Sequence, residues 1–180
     1  MCKTLTLILG GARSGKSSHA QQLARERGGD DVLFVATAEA LDDEMAARIA
    51  VHRAGRPAAW RTLEAPRHVG EAISQSELCG AVLVDCLTLL VSNAVVMLPE
   101  SASAAEAEVA ALAEVDELIA AYRRGAASWI VISNEVGLGL VPPYQVGRAY
   151  RDALGRANQR LAAEANEVLF MVAGIPMKVK

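Results

Sequence analysis

The chain has 180 residues, a net charge of −3 and 52 % hydrophobic residues. That length suits one domain over residues 1–180 with a sizeable core. The acidic balance speaks against a nucleic-acid partner, which usually leaves a basic footprint, and no run of 18 apolar residues is present to span a membrane.

Aromatic residues make up 4 %, so the core has to be built from aliphatic side chains and alanine. The cysteines Cys2, Cys79 and Cys86 are odd in number and form no C-x-x-C pair. They read as reduced thiols, which together with the absence of a signal-peptide layout predicts a cytoplasmic protein.

In chain order, Leu5 to Leu9 reads as a buried strand, and a helix is predicted from Ser17 to about Arg27, broken by Gly28-Gly29-Asp30. Val32 to Ala36 is a second strand. Asp42-Asp43-Glu44 opens another helix, since acidic residues suit the positive end of a helix, and Gly55 and Pro57 end it. Trp60 to Leu63 is a short strand, His68 stands near a helix start, and Ala81 to Val84 is a strand. The apolar segment Leu87 to Leu98 has no decisive period. A turn at Pro99 to Ser103 leads into an alanine-rich helix, Ala104 to Arg124, closed by Gly125. Trp129 to Ile132 is a strand, Tyr144 to Glu164 a helix, and Val168 to Val172 a last buried strand that turns at Gly174-Ile175-Pro176 into a hairpin. Short strands separated by helices imply βαβ units and a mainly parallel sheet.

The strongest chemical signal is Gly10-Gly11-Ala12-Arg13-Ser14-Gly15-Lys16-Ser17, which fits G-x-x-x-x-G-K-[ST]. Glycines let backbone N–H groups close around phosphate oxygens, lysine supplies a cation to the outer phosphates, and the serine hydroxyl suits Mg²⁺. A strand precedes and a helix follows, as the motif requires. Of the four lysines, Lys3, Lys178 and Lys180 are terminal, so the single interior lysine is the one in this loop.

A P-loop enzyme needs a second Mg²⁺ partner at a neighbouring strand end. Asp85, after Ala81-Val82-Leu83-Val84, fits that role better than a mere cap of the next segment. Thr37 and Ser133-Asn134-Glu135 end other strands, and ligands of open parallel sheets bind beyond such ends. For Glu135, a metal or hydroxyl-polarising role and a structural one both stand open.

His52 lies seven residues after Met45 and three after Ile49, on the apolar face of its helix. Periodicity alone favours a core histidine. Arg48, Arg53 and Arg56 surround it, however, and such cations keep an imidazole neutral and attract phosphate, as a nucleophile would need.

Together these segments resemble the adenosylcobinamide kinase/adenosylcobinamide-phosphate guanylyltransferase family over nearly the whole chain. The likeness runs through the P-loop, Ala36-Thr37-Ala38, Asp42-Asp43-Glu44-Met45-Ala46-Ala47-Arg48-Ile49, and His52-Arg53-Ala54-Gly55-Arg56-Pro57. It continues in Trp60 to Glu64, Asp85-Cys86-Leu87-Thr88, Asn134-Glu135-Val136-Gly137 and Asn158-Gln159-Arg160-Leu161-Ala162. The resemblance implies an α/β P-loop NTPase fold, RecA-like, with a C-terminal antiparallel strand. It implies phosphorylation of adenosylcobinamide by ATP or GTP, then transfer of GMP from GTP through a guanylyl-histidine. It places that histidine at His52, with Lys16 as a second catalytic group. Nucleotide binding falls on Gly10, Gly11, Ala12, Arg13, Ser14, Gly15, Lys16, Ser17, Ala36, Thr37, Ala38, Arg53, Ala54, Gly55, Arg56, Glu64 and Asp85, with Mg²⁺ on Ser17 and Asp85. A homotrimer is implied as well.

Two other readings compete. A P-loop small-molecule kinase without guanylyltransferase activity would do without a reactive His52. A GTP-dependent switch would carry N-K-x-D, which is missing, and the D-x-x-G match Asp152 to Gly155 falls inside a predicted helix. A DNA-dependent RecA-like ATPase is disfavoured by the acidic balance and the scarcity of aromatics.

Overall fold

A computed structural model describes residues 3–40, 42–77 and 79–180; Cys2 and the side chain of Arg48 lie outside the described residues. Seven strands form one sheet in the order β3-β2-β4-β5-β1-β6-β7. They are β1 (Leu5–Gly10), β2 (Val32–Ala36), β3 (Arg61–Glu64), β4 (Ala81–Asp85), β5 (Ser128–Ile132), β6 (Glu167–Val172) and β7 (Ile175–Lys178). All neighbours pair in parallel except β6 and β7, which are antiparallel. The helices are α1 (Lys16–Gly28), α2 (Asp43–Ala54), α3 (Val69–Ser74), α4 (Leu87–Val96), α5 (Ala104–Arg124) and α6 (Gln145–Glu164).

The inner strands are apolar without alternation because helices cover both faces of the sheet. Leu5 and Leu7 enter a larger core under α3, α4, α5 and α6, whereas Ile8 enters a smaller one beside α1. Each core holds one of the two tryptophans: Trp129 the larger, Trp60 the smaller. Trp129 meets Tyr122 edge-on at 6.0 Å between ring centroids. The Trp60 indole N–H donates to the Gly29 carbonyl at 3.1 Å. Each fully buried leucine contributes about 1.5–3 kcal/mol, which is how so few aromatics suffice.

Local chemistry sets the helix ends. Asp42 caps α2 by accepting from the Met45 N–H at 2.7 Å. At α5, Ser103 and Glu106 form a reciprocal capping box, and Arg123 and Arg124 suit the negative end. The apolar segment without a decisive period is helical as α4, and Trp60 precedes β3 rather than starting it. Asp152 to Gly155 lies within α6, so the D-x-x-G match is helical and not a switch loop.

The register matters most for function. Glu64 pairs with Ala36, Ala36 with Asp85, and Asp85 with Ile132, so these four residues form one row across the carboxyl ends of β3, β2, β4 and β5.

Gly70 lets α3 lie directly on α5. A Cβ there would run into the Glu117 carbonyl and come within 2.9 Å of the Leu118 amide nitrogen. Backbone atoms cannot yield without parting the two helices, so Gly70→Ala is expected to cost about 1–3 kcal/mol. A urea unfolding midpoint checks this; an unmoved midpoint would show that α3 shifts freely.

Candidate active site

The loop between β1 and α1 is shaped by two glycines. Gly15 has φ +94° in the left-handed region, which a side chain disfavours. At Gly10 a Cβ would come within 2.7 Å of both the Met171 carbonyl oxygen and the Ser14 hydroxyl. Neighbouring strands brace the loop: the Glu135 N–H donates to the Gly10 carbonyl at 3.1 Å, and the Gly174 N–H to the Ser14 carbonyl at 2.9 Å. Gly15 offers no side chain to cap α1, and the first turn holds no acidic residue. The positive helix end therefore faces the loop uncompensated, a ready seat for an anion.

Lys16 is 6 % exposed and donates to the Gly11 carbonyl at 2.6 Å, which holds the ammonium inside the loop. Burial lowers its pKa, with Cys86 and Asp85 opposing that shift.

The loop forms one wall of a cavity of about 830 Å³, open at the carboxyl edge of the sheet. Ala12, Arg13, Ser14, Gly15, Lys16 and Ser17 line that wall, and the row Glu64, Ala36, Asp85 and Ile132 lines another. Ala38, Cys86 and Asn134 extend the row, and α2 with the turn after it adds Met45, Ile49, His52, Arg53 and Arg56. The structure thus brings His52, Lys16, Ser17 and Asp85 to one space. The face of α2 that carries Met45, Ile49 and His52 looks onto the cavity, and His52 is exposed.

Burial raises the pKa of Asp85, while His52, Arg56, the Ser17 hydroxyl and Lys16 pull it down. The guanidinium of Arg56 lies over the Phe34 ring at 3.9 Å, and burial lowers its pKa too. Its Nε and Nη1 are buried without a hydrogen-bond partner. Arg53 pairs with Glu64, tying α2 to the end of β3. Cys86 has its thiol pushed up to about 11 by burial, so it stays protonated at neutral pH and is no nucleophile.

Gly10, Gly11, Thr37, Ala54 and Gly55 do not line the cavity. Thr37 is fully buried, with its hydroxyl engaged by Cys86. The Glu135 carboxylate accepts from the Gly137 N–H at 2.6 Å and is not among the residues that line the cavity. Ser18, Ala40 and Leu89 line the cavity although no expectation from the sequence falls on them. Ser18 continues the loop motif; Ala40 and Leu89 carry no sequence signal for a site.

A serine hydroxyl and a carboxylate lining one cavity, beside a lysine and an anion seat, form a donor set of hard oxygens that fits Mg²⁺ borne by a phosphate chain. Among the described residues no cluster of three or more His, Cys, Asp or Glu could hold a metal alone. Cys79 and Cys86 are free thiols.

The model of the cobinamide kinase/cobinamide phosphate guanyltransferase family matches residues 6–179. The bifunctional adenosylcobalamin biosynthesis protein CobU of Salmonella typhimurium is 45 % identical over 183 residues, spanning 98 % of this chain and 99 % of that protein. The bifunctional adenosylcobalamin biosynthesis protein CobP of Pseudomonas aeruginosa is 45 % identical over 176 residues, with 97 % and 96 % covered. Among solved structures, the flagellar accessory protein FlaH of Methanocaldococcus jannaschii superposes with TM-score 0.53 at 14 % identity, over 98 % of this chain and 78 % of its own. A second solved structure, an ATPase domain, superposes with TM-score 0.50 at 15 % identity, over 93 % and 69 %. At that identity the two structures speak for the fold alone: a P-loop ATPase sheet.

The buried carboxylate yields a prediction. A carboxyl whose folded pKa stands above its unfolded value favours the unfolded chain as pH rises past that unfolded value. For Asp85 the unfolded value is 3.8 and the folded one is higher. Its charge therefore destabilises the protein without ligand at neutral pH. Asp85→Asn is expected to unfold at higher urea than the wild type at pH 7, with the gap closing as pH falls toward 3.8. A lower midpoint at pH 7 would mean that the surrounding cations outweigh burial.

Proposed function

The chain belongs to the cobinamide kinase/cobinamide phosphate guanyltransferase family, and from that premise we propose that it is a two-step enzyme of cobalamin biosynthesis working in one nucleotide cavity. In the first step the hydroxyl oxygen of adenosylcobinamide attacks the γ-phosphorus of ATP or GTP. The bond to the β-bridging oxygen breaks, the nucleoside diphosphate leaves, and the hydroxyl proton is lost. In the second step a ring nitrogen of His52 attacks the α-phosphorus of GTP and the bond to pyrophosphate breaks. A phosphate oxygen of adenosylcobinamide phosphate then attacks the same phosphorus, the P–N bond breaks, and the imidazole is regenerated with adenosyl-GDP-cobinamide as product.

The observation that carries this reading is the exposed imidazole of His52 on the same cavity as the anion seat of Lys16. Lys16 and the first turn of α1 would hold the β- and γ-phosphates. Arg56 has two buried N–H groups without an acceptor, and with Arg53 it would hold the α-phosphate while the bond to His52 forms and breaks. Ser17 and Asp85 would hold Mg²⁺, which neutralises charge on the phosphate oxygens. Glu64, at the far end of the row, would meet the nucleoside.

No helix among the described residues is long and apolar enough to cross a membrane. A cytoplasmic location and a homotrimer complete the proposal, on family likeness.

Two measurements test it. Mixing the protein with GTP labelled at the α-phosphate should leave an acid-labile, alkali-stable label on the wild type and none on His52→Ala, with kinase activity within a few-fold. Label retained in the variant would remove His52 from the mechanism; kinase activity without label in the wild type would leave a simple kinase. Lys16→Ala should lose about 10²–10³-fold of kinase rate, and an unaffected rate would overturn the phosphate seat.

A further inference from the structure

Thr37 follows β2 between Ala36 and Ala38, which both line the cavity, yet it contributes nothing to the lining itself. Its side chain is fully buried, and its N–H and hydroxyl are both directed to one peptide. The Thr37 N–H donates to the Asp85 carbonyl at 3.2 Å. The Thr37 hydroxyl accepts from the Cys86 N–H at 2.8 Å and donates to the Cys86 carbonyl at 2.8 Å. The peptide joining Asp85 to Cys86 therefore has both of its polar groups bound to a single residue. Thr37 is held in turn from α4. The side-chain amide of Asn93 donates to the Thr37 carbonyl at 2.8 Å and to the Pro66 carbonyl at 2.9 Å, two residues past Glu64.

We propose that Thr37, braced by Asn93, is a positioning residue for the divalent cation that accompanies the triphosphate. By fixing the peptide after Asp85, it aims that carboxylate at the Ser17 hydroxyl. This rests on the proposed roles of Ser17 and Asp85. Mg²⁺ demands near-ideal octahedral geometry at short distances, so a carboxylate that can swivel loses most of its value to the ion. The two bonds between the Thr37 hydroxyl and Cys86 are buried, so water cannot readily replace them. Groups that orient a metal ligand typically matter 10–100-fold to metal affinity when removed.

The test is binding of a fluorescent GTP analogue with and without Mg²⁺. Thr37→Val keeps the shape and removes the hydroxyl. Its Mg²⁺-free affinity should stay within about 2-fold of the wild type, while the strengthening brought by Mg²⁺ should fall by about 10-fold. Thr37→Ser should restore most of it. An undiminished Mg²⁺ effect in Thr37→Val would overturn the proposal. So would an equal loss of affinity with and without Mg²⁺, which marks mere loosening. Should Thr37→Val fail to fold by thermal unfolding, Asn93→Ala decides: a few-fold smaller Mg²⁺ effect supports the brace, an unchanged one overturns it. A wild-type chain that binds no analogue at all overturns the nucleotide reading and this proposal with it.

Discussion

Charged groups held away from water at the ends of parallel strands are the constraint on which the rest of this protein depends. Lys16, Arg56 and Asp85 each have a pKa moved by burial in the direction that disfavours the charge. A fold selected for stability alone would not gather them. They are tolerated because the surrounding backbone is fixed on every side, and because their charges oppose one another across one cavity. Electrostatic interactions in such a setting are far stronger than in water, which is what transfer of a phosphoryl group requires.

The parallel sheet is what makes the gathering possible. Each strand ends on the same edge, and the register sets Glu64, Ala36, Asp85 and Ile132 side by side. The phosphate loop is then seated against this row by backbone bonds from the segment after β5 and from the turn between β6 and β7. The C-terminal hairpin thus has a local task beyond closing the sheet. Gly174 holds the carbonyl of Ser14, and a Cβ on Gly15 would come within 3.1 Å of the Gly174 Cα.

Much of this is legible in the chain itself, because the informative segments obey local rules. The phosphate loop between a strand and a helix, the acidic start of α2, and the turn before α5 depend on near neighbours only. The segment that forms α4 is ambiguous in sequence because apolar residues also stand outside its buried face, Val96 being 68 % exposed, which blurs the helical period. Beyond the hint at His68, α3 is hidden: six residues are too few for periodicity, and its place is set by Gly70 against α5. At His52 the helical period finds the correct face of α2. It cannot distinguish a face turned to a core from one turned to a ligand cavity, since both are lined by residues such as Met45 and Ile49. Thr37 shows in the sequence as a strand end and, through the resemblance, as a nucleotide-binding residue, not as a brace. Its bonds to Asp85 and Cys86 join residues 48 and 49 positions apart, and no local pattern announces them.

The placement of the two tryptophans has a use in the laboratory. Tyrosines and phenylalanines are few, and one indole lies in each layer of the molecule. Trp129 sits deep beneath the four-helix side, with Tyr122 beside it. Trp60 lies three residues beyond Pro57, in the layer that contains Phe34, over which Arg56 is stacked. Intrinsic fluorescence therefore divides by layer. With Trp129 replaced by Phe, the remaining emission comes from the side on which the cavity beside Lys16 is built, and the opposite replacement leaves an optical probe of the scaffold alone.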